Sequence, residues 1–419
     1  MYLTQSNIIR GLSHEEYKLL KEMCWYAKNL YNVGLYNIRQ HYFNEKRFLA
    51  YESNYHECKT NENYKLLQAG VSQQILKVVD RSFKSFFNLM KKAKHGEYRY
   101  QDIKIPKYLP KDGLFVLVLS TNAINIKDGF IYLPTSIAFN KLHPNTKIKI
   151  PFPQKLVDKK IKEVRIIPLY KGHFFKIQYV YEADTEDLAL NPNHSLAIDI
   201  GLENLATCVD SQNGASFIMD GRKLKSINHF YNKRKAYFQV IASKQDLKST
   251  KRLNALTLKR NNQVNDYIKK TARYIINYCI SHDIGTLVVG YNSDFKRHIN
   301  LGKATNQQFN QISFGALRGQ LANLCEQYSI QYIEQEESYT SKASFLEQDD
   351  MPIFTPGDEQ KYNFSGKRIK RGLYQSKNKQ LLNADVNGAC NILVKSKQKF
   401  DFKQLCKGLL VSPIRIRIT

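Results

Sequence analysis

The stretch from Ser195 to Cys208, reading SLAIDIGLENLATC, constrains this chain more than any other. It is an apolar run that carries one carboxylate, Asp199, and reaches a glycine at Gly201. A buried central strand reads this way when it delivers a single acidic side chain to a metal-binding edge. An aspartate that caps a turn before Gly201 reads the same way. Whether the rest of the chain supplies partners for Asp199 decides between the two.

The chain has 419 residues and is 42% hydrophobic, enough for two or three domains at about 100 to 200 residues each. Its formal charge of +27, from 64 basic and 37 acidic residues, points to a polyanionic partner, and nucleic acid is the first choice. A membrane surface is the rival. No apolar run approaches the ~20 residues of a spanning helix, and the N-terminus MYLTQSNIIR lacks the apolar core of a signal peptide, so a cytoplasmic protein is expected. The seven cysteines, Cys24, Cys58, Cys208, Cys279, Cys325, Cys390 and Cys406, include no CxxC pair. That spacing supports neither a disulfide framework nor a zinc cluster.

Leu19, Leu20, Met23, Tyr26, Leu30 and Val33 share one face of a helix predicted from His14 to about Phe43, with Ser13 and Glu16 as a capping box. A second helix is predicted from about Val71 to Lys94, apolar at Val71, Ile75, Val79, Phe83, Phe86 and Met90 and basic at Lys77, Arg81 and Lys84. After Gly96 the period changes to short β-branched or aromatic segments, from Leu114 to Tyr181, separated by turn pairs such as Asp112-Gly113 and Asp128-Gly129. These predict a small antiparallel β-domain, a barrel, with the helical unit inserted after a first strand near Tyr2 to Ile9. Asp184 to His194 reads as the linker out of it.

Ser195 to Val209 then predicts a strand that turns at Gly201 and returns, and Ser216 to Met219 a third strand beside them. Three meandering strands opening an α/β unit are the start of an RNase H-like fold, by analogy of topology. Arg222 to Arg273 is helical and densely basic, its cations alternating with Tyr231, Tyr237, Phe238 and Leu253, which favours contact with a nucleic-acid backbone over a merely solvated face. Further strands are expected at Thr286–Gly290 and Ile330–Glu334, with Glu336 and Glu337 at the end of the second. Asp385 falls just before a helix expected to begin near Asn387. Asp199, a strand-end glutamate and Asp385 are the residue types that two-metal phosphodiester hydrolysis requires, and oxygen ligands suit Mg²⁺ or Mn²⁺.

The segments AIDIGLENLAT, VVGYN with FKR and NQQFNQISF after it, EESYTSKASF, FSGKRIKRGLY and NADVNGACNIL, in this order, resemble the TnpB family encoded by bacterial insertion sequences, relatives of the compact type V CRISPR effectors. The resemblance implies an α+β multidomain protein: a β-barrel wedge domain (1–12 and 97–190) with an inserted helical recognition domain (13–96), then a RuvC-like, RNase H-like α/β nuclease domain (191–419). Within the last lie a basic helical insertion (222–275) and a ribbon-like loop region (341–380). It implies a transposon-derived guide RNA, target DNA selected beside a short motif, and cleavage by two-metal chemistry with Mg²⁺ or Mn²⁺.

Two departures matter. Where the family usually carries its second catalytic glutamate at the end of the strand Leu287–Val289, this chain has Gly290. A relocated glutamate is expected instead, Glu337 before Glu336, so that the catalytic and metal-binding set reads Asp199, Glu337 and Asp385. The family's two CxxC pairs are absent between the YTS motif and Asp385, so no zinc is expected and other contacts must hold that loop, with the KRIKR cluster on nucleic acid as one candidate. Lys233, Arg234, Lys235, Arg368, Lys370 and Arg371 are the expected backbone-binding cations. A nuclease-inactive RNA-guided binder or repressor, and a transposition accessory protein, are the alternative readings, and a CRISPR context is a third.

Overall fold

In the computed structural model, which describes residues 1–144, 147–292, 306–307, 311–354, 361–407 and 412–418, the chain divides into two units, Met1–Ala183 and Asp184–Thr419. The first opens with β1 (Tyr2–Ile8) and α1 (His14–Glu45). The capping box forms: Glu16 N donates to Ser13 Oγ at 3.1 Å and Ser13 N to Glu16 Oε2 at 2.8 Å. Two short helices follow, α2 (Tyr51–Cys58) and α3 (Glu62–Lys65), too brief to show a period in the sequence. The expected second helix is α4 (Ala69–Lys94); it buries Val71, Ile75, Val79, Phe83 and Phe86 and leaves Lys77, Arg81 and Lys84 in solvent.

The strands of this unit are β2 (Leu117–Ser120), β3 (Asn125–Lys127), β4 (Phe130–Tyr132), β5 (Lys149–Pro151), β6 (Ile161–Leu169) and β7 (Phe174–Glu182), with α5 (Ile137–Leu142) between β4 and β5. Here the expected barrel needs correction. The strands form a four-stranded sheet, β1-β7-β6-β2, and a three-stranded one, β3-β4-β5, with no ladder joining them among the described residues. The 3-10 turn at Thr121–Ala123 breaks the extended run that would have continued β2 into β3. β1 does pair with β7 along its whole length, Tyr2 with Glu182 through Ile8 with Lys176, so the first strand returns across the inserted helices. Helices and strands share one apolar core, Leu20 and Phe83 alongside Val164 and Ile177.

The second unit runs β8 (Ser195–Asp199), β9 (Asn204–Asp210), β10 (Ser216–Asp220), α6 (Arg222–Ser243), α7 (Lys251–Ser281), β11 (Thr286–Tyr291), α8 (Phe314–Gln327) and β12 (Gln331–Glu336). It continues with β13 (Lys367–Lys370), β14 (Leu373–Gln375), β15 (Leu381–Asn383), α9 (Ala384–Lys395), α10 (Phe402–Lys407) and β16 (Ile414–Ile416). Its main sheet has the order β12-β11-β8-β9-β10-β16. β8, β9 and β10 form the expected antiparallel meander, and β11 and β12 add in parallel. β16, which the sequence left unassigned, pairs in parallel with β10.

Side chains alternate across a strand, so β8 serves both faces. Leu196 and Ile198 join Leu287 and Val289 in a core with Ile268 and Ile275 of α7 and Leu321 of α8. Ala197 points the other way, into a core with Val386 and Leu393 of α9. Asp199 shares the parity of Ala197 and therefore faces α9. Most of the FKR and NQQF segments, residues 293–305 and 308–310, lie outside the described residues.

Candidate active site

Three parallel strands end together at one edge of the main sheet. Val289 of β11 pairs with Ile198 of β8 on one side and Glu334 of β12 on the other, so Asp199, Gly290 and Gln335 come level at the carboxyl ends. That edge is where open α/β sheets hold their ligands. Glu336 closes β12, two residues beyond the expected strand end, and Glu337 is the first residue past the ladder.

Asp199 is packed against α9 through a glycine. A Cβ built on Gly388 would sit 2.8 Å from Asp199 Oδ2, closer than real side chains tolerate, so only glycine lets the helix approach the carboxylate this closely. At Gly290 a Cβ would lie 2.6 Å from Ile392 Cδ1 and 2.7 Å from Glu337 Oε2. The carboxylate of Glu337, carried beyond β12, thus fills the space that a side chain on β11 would need. Strands stand about 4.8 Å apart, so it reaches one strand inward, toward Asp199.

The electrostatics follow from this crowding. The Asp199 carboxyl is pushed well above the ordinary carboxylate range by burial, then by the charges of Glu337 and Asp385, with Arg368 opposing. Glu337 is raised to about 7, chiefly by burial and next by Glu336, with Arg318 and Lys395 pulling it down. Glu336 behaves in the opposite way. Burial would raise it, but hydrogen bonds from Lys395 and Ser338 outweigh that and hold it below its usual value. Lys395 Nζ lies 2.6 Å from Glu336 Oε2, and Ser338 N donates to Oε1. Glu336 is committed to holding its own loop, whereas no hydrogen bond from the described residues holds the Glu337 carboxylate.

Asp385 lies inside the first turn of α9, one correction to the reading that set it before the helix. Asn383 is the cap, accepting from Asp385 N at 3.0 Å and Val386 N at 3.2 Å, so the helix begins three residues earlier than expected. Asn204 Nδ2 donates to Asp385 Oδ2, and Arg415 Nη2 donates to Asn204 Oδ1 at 2.8 Å. Arg368 Nη2 stands 3.5 Å from Asp385 Oδ1. These groups line a cleft of about 390 Å³ that also takes in Glu203 and Arg371. Glu203 is fully engaged, 2.6 Å from Lys225 and 2.8 Å from Arg371, and is held low by the Lys225 hydrogen bond first.

Among the described residues no three His, Cys, Asp or Glu side chains are grouped so that they could hold one ion as they stand. Asp199 is crowded by the charges of Glu337 and Asp385, and Asp385 stands 3.5 Å from Arg368. The donor set nevertheless fits a hard divalent cation in type, because a carboxyl group raised by burial and by neighbouring carboxylates, as Asp199 is, is stabilised by a positive ion.

The expected backbone-binding cations divide. Arg368, Lys370 and Arg371 are exposed on the β13–β14 hairpin beside the cleft. Lys233 and Arg234 are exposed on α6, while Lys235 is half-buried against the Tyr231 ring. The aromatic part of that reading changes. Of the four residues named in that reading, Tyr231, Phe238 and Leu253 are buried, with Arg252 over Phe238 and Arg260 over Tyr231, and Tyr237 is exposed. Part of the basic run therefore stabilises the hairpin itself.

The ribbon-like loop is held by protein. Asp349 accepts from Ser344 N at 2.8 Å and Ser365 N at 3.0 Å, and the buried Tyr374 donates its hydroxyl to Lys342 O at 2.8 Å. Asn204, Arg415, Gly388 and Lys395 were not singled out in the sequence. Asn204 and Gly388 stood inside quoted motifs. Asn387, Asn391 and Lys395 recur at four-residue spacing in an otherwise apolar helix, a signal that marks a buried polar face.

Residues 178–296 match the family described as OrfB_IS605, probable transposase. None of the curated proteins matches the chain. Among solved structures, the Cas12f1–sgRNA–target DNA complex aligns with 91% of this chain and 83% of its own at 14% identity and a TM-score of 0.57, which establishes a similar fold. The mini-RNA-guided endonuclease CRISPR-Cas_phi3 aligns over 96% and 94% at 9% identity and a TM-score of 0.47. No described helix is long and apolar enough to cross a membrane.

Proposed function

We propose that this chain is an RNA-guided DNA endonuclease of a transposon, in which residues 1–12 and 97–190 form the wedge, 13–96 the recognition domain and 191–419 the nuclease. The observation that carries the reading is the exchange at the sheet edge: the strand glutamate is missing at Gly290, and the Glu337 carboxylate takes up the space left there beside Asp199. The Cas12f1-like fold and the OrfB_IS605 match support it. Asp199, Glu337 and Asp385 are the residues that would hold Mg²⁺ or Mn²⁺, which when bound supplies water activation and stabilisation of the leaving oxygen.

The chain's own groups prepare that site. Partial burial and the charge of neighbouring carboxylates make ionisation of Asp199 and Glu337 costly, a cost that a bound cation would relieve. Asn204 holds one oxygen of Asp385, and Arg368 stands 3.5 Å from the other, which would be a ligand to the ion. Arg368, Lys370 and Arg371 then face a phosphate backbone laid along the cleft, and Lys233, Arg234 and Lys235 extend the basic surface on α6. Zinc has no role in this reading.

The test is to purify the protein from its native locus, sequence the RNA that accompanies it, and incubate the complex with matching DNA and Mg²⁺. Cleavage that disappears in Asp199→Ala and Glu337→Ala but persists in Glu336→Ala supports the assignment. Full activity in both glutamate variants, with loss in Asp199→Ala, would sink the relocated carboxylate. Guide-dependent DNA binding without any cleavage in wild type would instead favour the inactive binder, for which the Arg368–Asp385 contact is the one specific argument.

A further inference from the structure

A carboxylate on β11 would be aimed by the sheet ladder, but Glu337 lies past the end of β12 and has no register partner. Its direction depends on the turn that follows. Within that turn Thr340 Oγ1 donates to Glu337 O at 2.9 Å, and Tyr339 adopts a φ of +64°, a left-handed conformation unusual for a bulky residue. Its ring packs against Tyr362 and Phe364.

The other hold on the turn comes from α9. Lys395 Nζ donates to Ser338 O at 3.0 Å as well as to Glu336. Asn391 Nδ2 reaches Thr340 O and Ala343 O, both at 2.8 Å. Asn387 donates to Ala343 O at 2.8 Å and accepts from Phe345 N at 3.0 Å. These three side chains are spaced one helical turn apart, and both asparagines are fully buried. The adjacent ridge of the same helix carries Gly388 against Asp199 and Ile392 against Gly290. Asp385 stands in its first turn.

We propose that Asn391 and Lys395 are positioning residues that hold Glu337 in the metal site, a task created by moving the carboxylate off the strand. One rigid helix then sets all three carboxylates: Asp385 by carrying it, Asp199 by contact at Gly388, and Glu337 through the polar ladder. This rests on the reading of Asp199, Glu337 and Asp385 as the metal-binding set.

The experiment uses full-length protein in two arms. Mn²⁺ affinity is followed by electron paramagnetic resonance for wild type, Glu337→Gln, Asn391→Leu and Lys395→Met, and kcat and KM for matching DNA are measured on the RNA complexes. Asn391→Leu and Lys395→Met are expected to weaken Mn²⁺ binding about tenfold and to lower kcat by a similar factor with KM unchanged, as loss of an outer partner of a metal ligand does. Lys395→Met, which keeps most of the side chain's apolar stem at the helix end, serves where Asn391→Leu does not fold. Wild type binding no Mn²⁺ overturns the site reading together with this inference. Wild type binding Mn²⁺ through Glu337, with both variants binding as tightly, overturns the inference alone.

Discussion

Gly290 and Glu337 meet in one place: the Glu337 carboxylate lies where a side chain on Gly290 would stand. Adding a single methyl at Gly290 brings it against the movable ends of Ile392 and Glu337, so Gly290→Ala is expected to fold and to displace the carboxylate. DNA cleavage should fall by about tenfold or more while guide and target binding persist, as comparison of a binding assay with a cleavage assay would establish. The raised Glu337 carboxyl has its own consequence. An unfolded glutamate titrates near ~4.3, whereas the folded one titrates at about 7 through burial and the charge of Glu336. Between these values the folded chain binds a proton that the unfolded chain has released. Stability without divalent ions therefore declines as pH rises through that window. In chelator, melting at pH 5 should exceed that at pH 8 by roughly 3 to 8 °C, and Glu337→Gln should reduce the difference, the raised Asp199 supplying what remains.

At the scale of elements, α9 is the part on which the site depends most. Its cap at Asn383, its glycine at Gly388 and its polar ladder are separate features of one twelve-residue helix. Gly388→Ala separates fold from function here. Alanine favours a helix interior over glycine by about 1 kcal/mol, so the melting temperature should hold or rise. The new Cβ would meet Asp199 Oδ2 at 2.8 Å, a side-chain end that can turn away, and cleavage should drop about tenfold as it does. A variant that keeps both stability and activity would show that close approach of α9 to Asp199 is not required. The β13–β14 hairpin is anchored by the buried Tyr374 and presents Arg368 at the site. No cysteine takes part in it.

At the scale of the whole molecule, an excess of 27 positive charges makes salt a direct probe of function. Plotted against the logarithm of salt concentration, guide-RNA affinity should fall steeply, and Lys233→Ala and Lys370→Ala should each reduce the slope by about one. Unchanged slopes would remove those two lysines from the interface. Much of the architecture was legible beforehand because local rules fix it: the capping box at Ser13, the heptad-like face of α4, the meander from Ser195 to Met219 and the Asp199 and Asp385 candidates all follow from short-range pattern. The separation of the β-domain into two sheets, the short helices α2 and α3, and the pairing of β16 with β10 did not follow, because they depend on long-range ladders or on segments too short to carry a period. The burial of Tyr231 and Phe238 was equally hidden, since a basic helix face and an aromatic packing face share one sequence. For the opening stretch, SLAIDIGLENLATC by itself determined a buried strand and left Asp199 open between an edge carboxylate and a turn cap. The sequence favoured Glu337 over Glu336; only the tertiary structure puts the Glu337 carboxylate at Gly290 and ties Glu336 to Lys395. That choice rests on a Lys395 ion pair from one direction and an empty place at Gly290 from the other, and neither is a property of the local sequence.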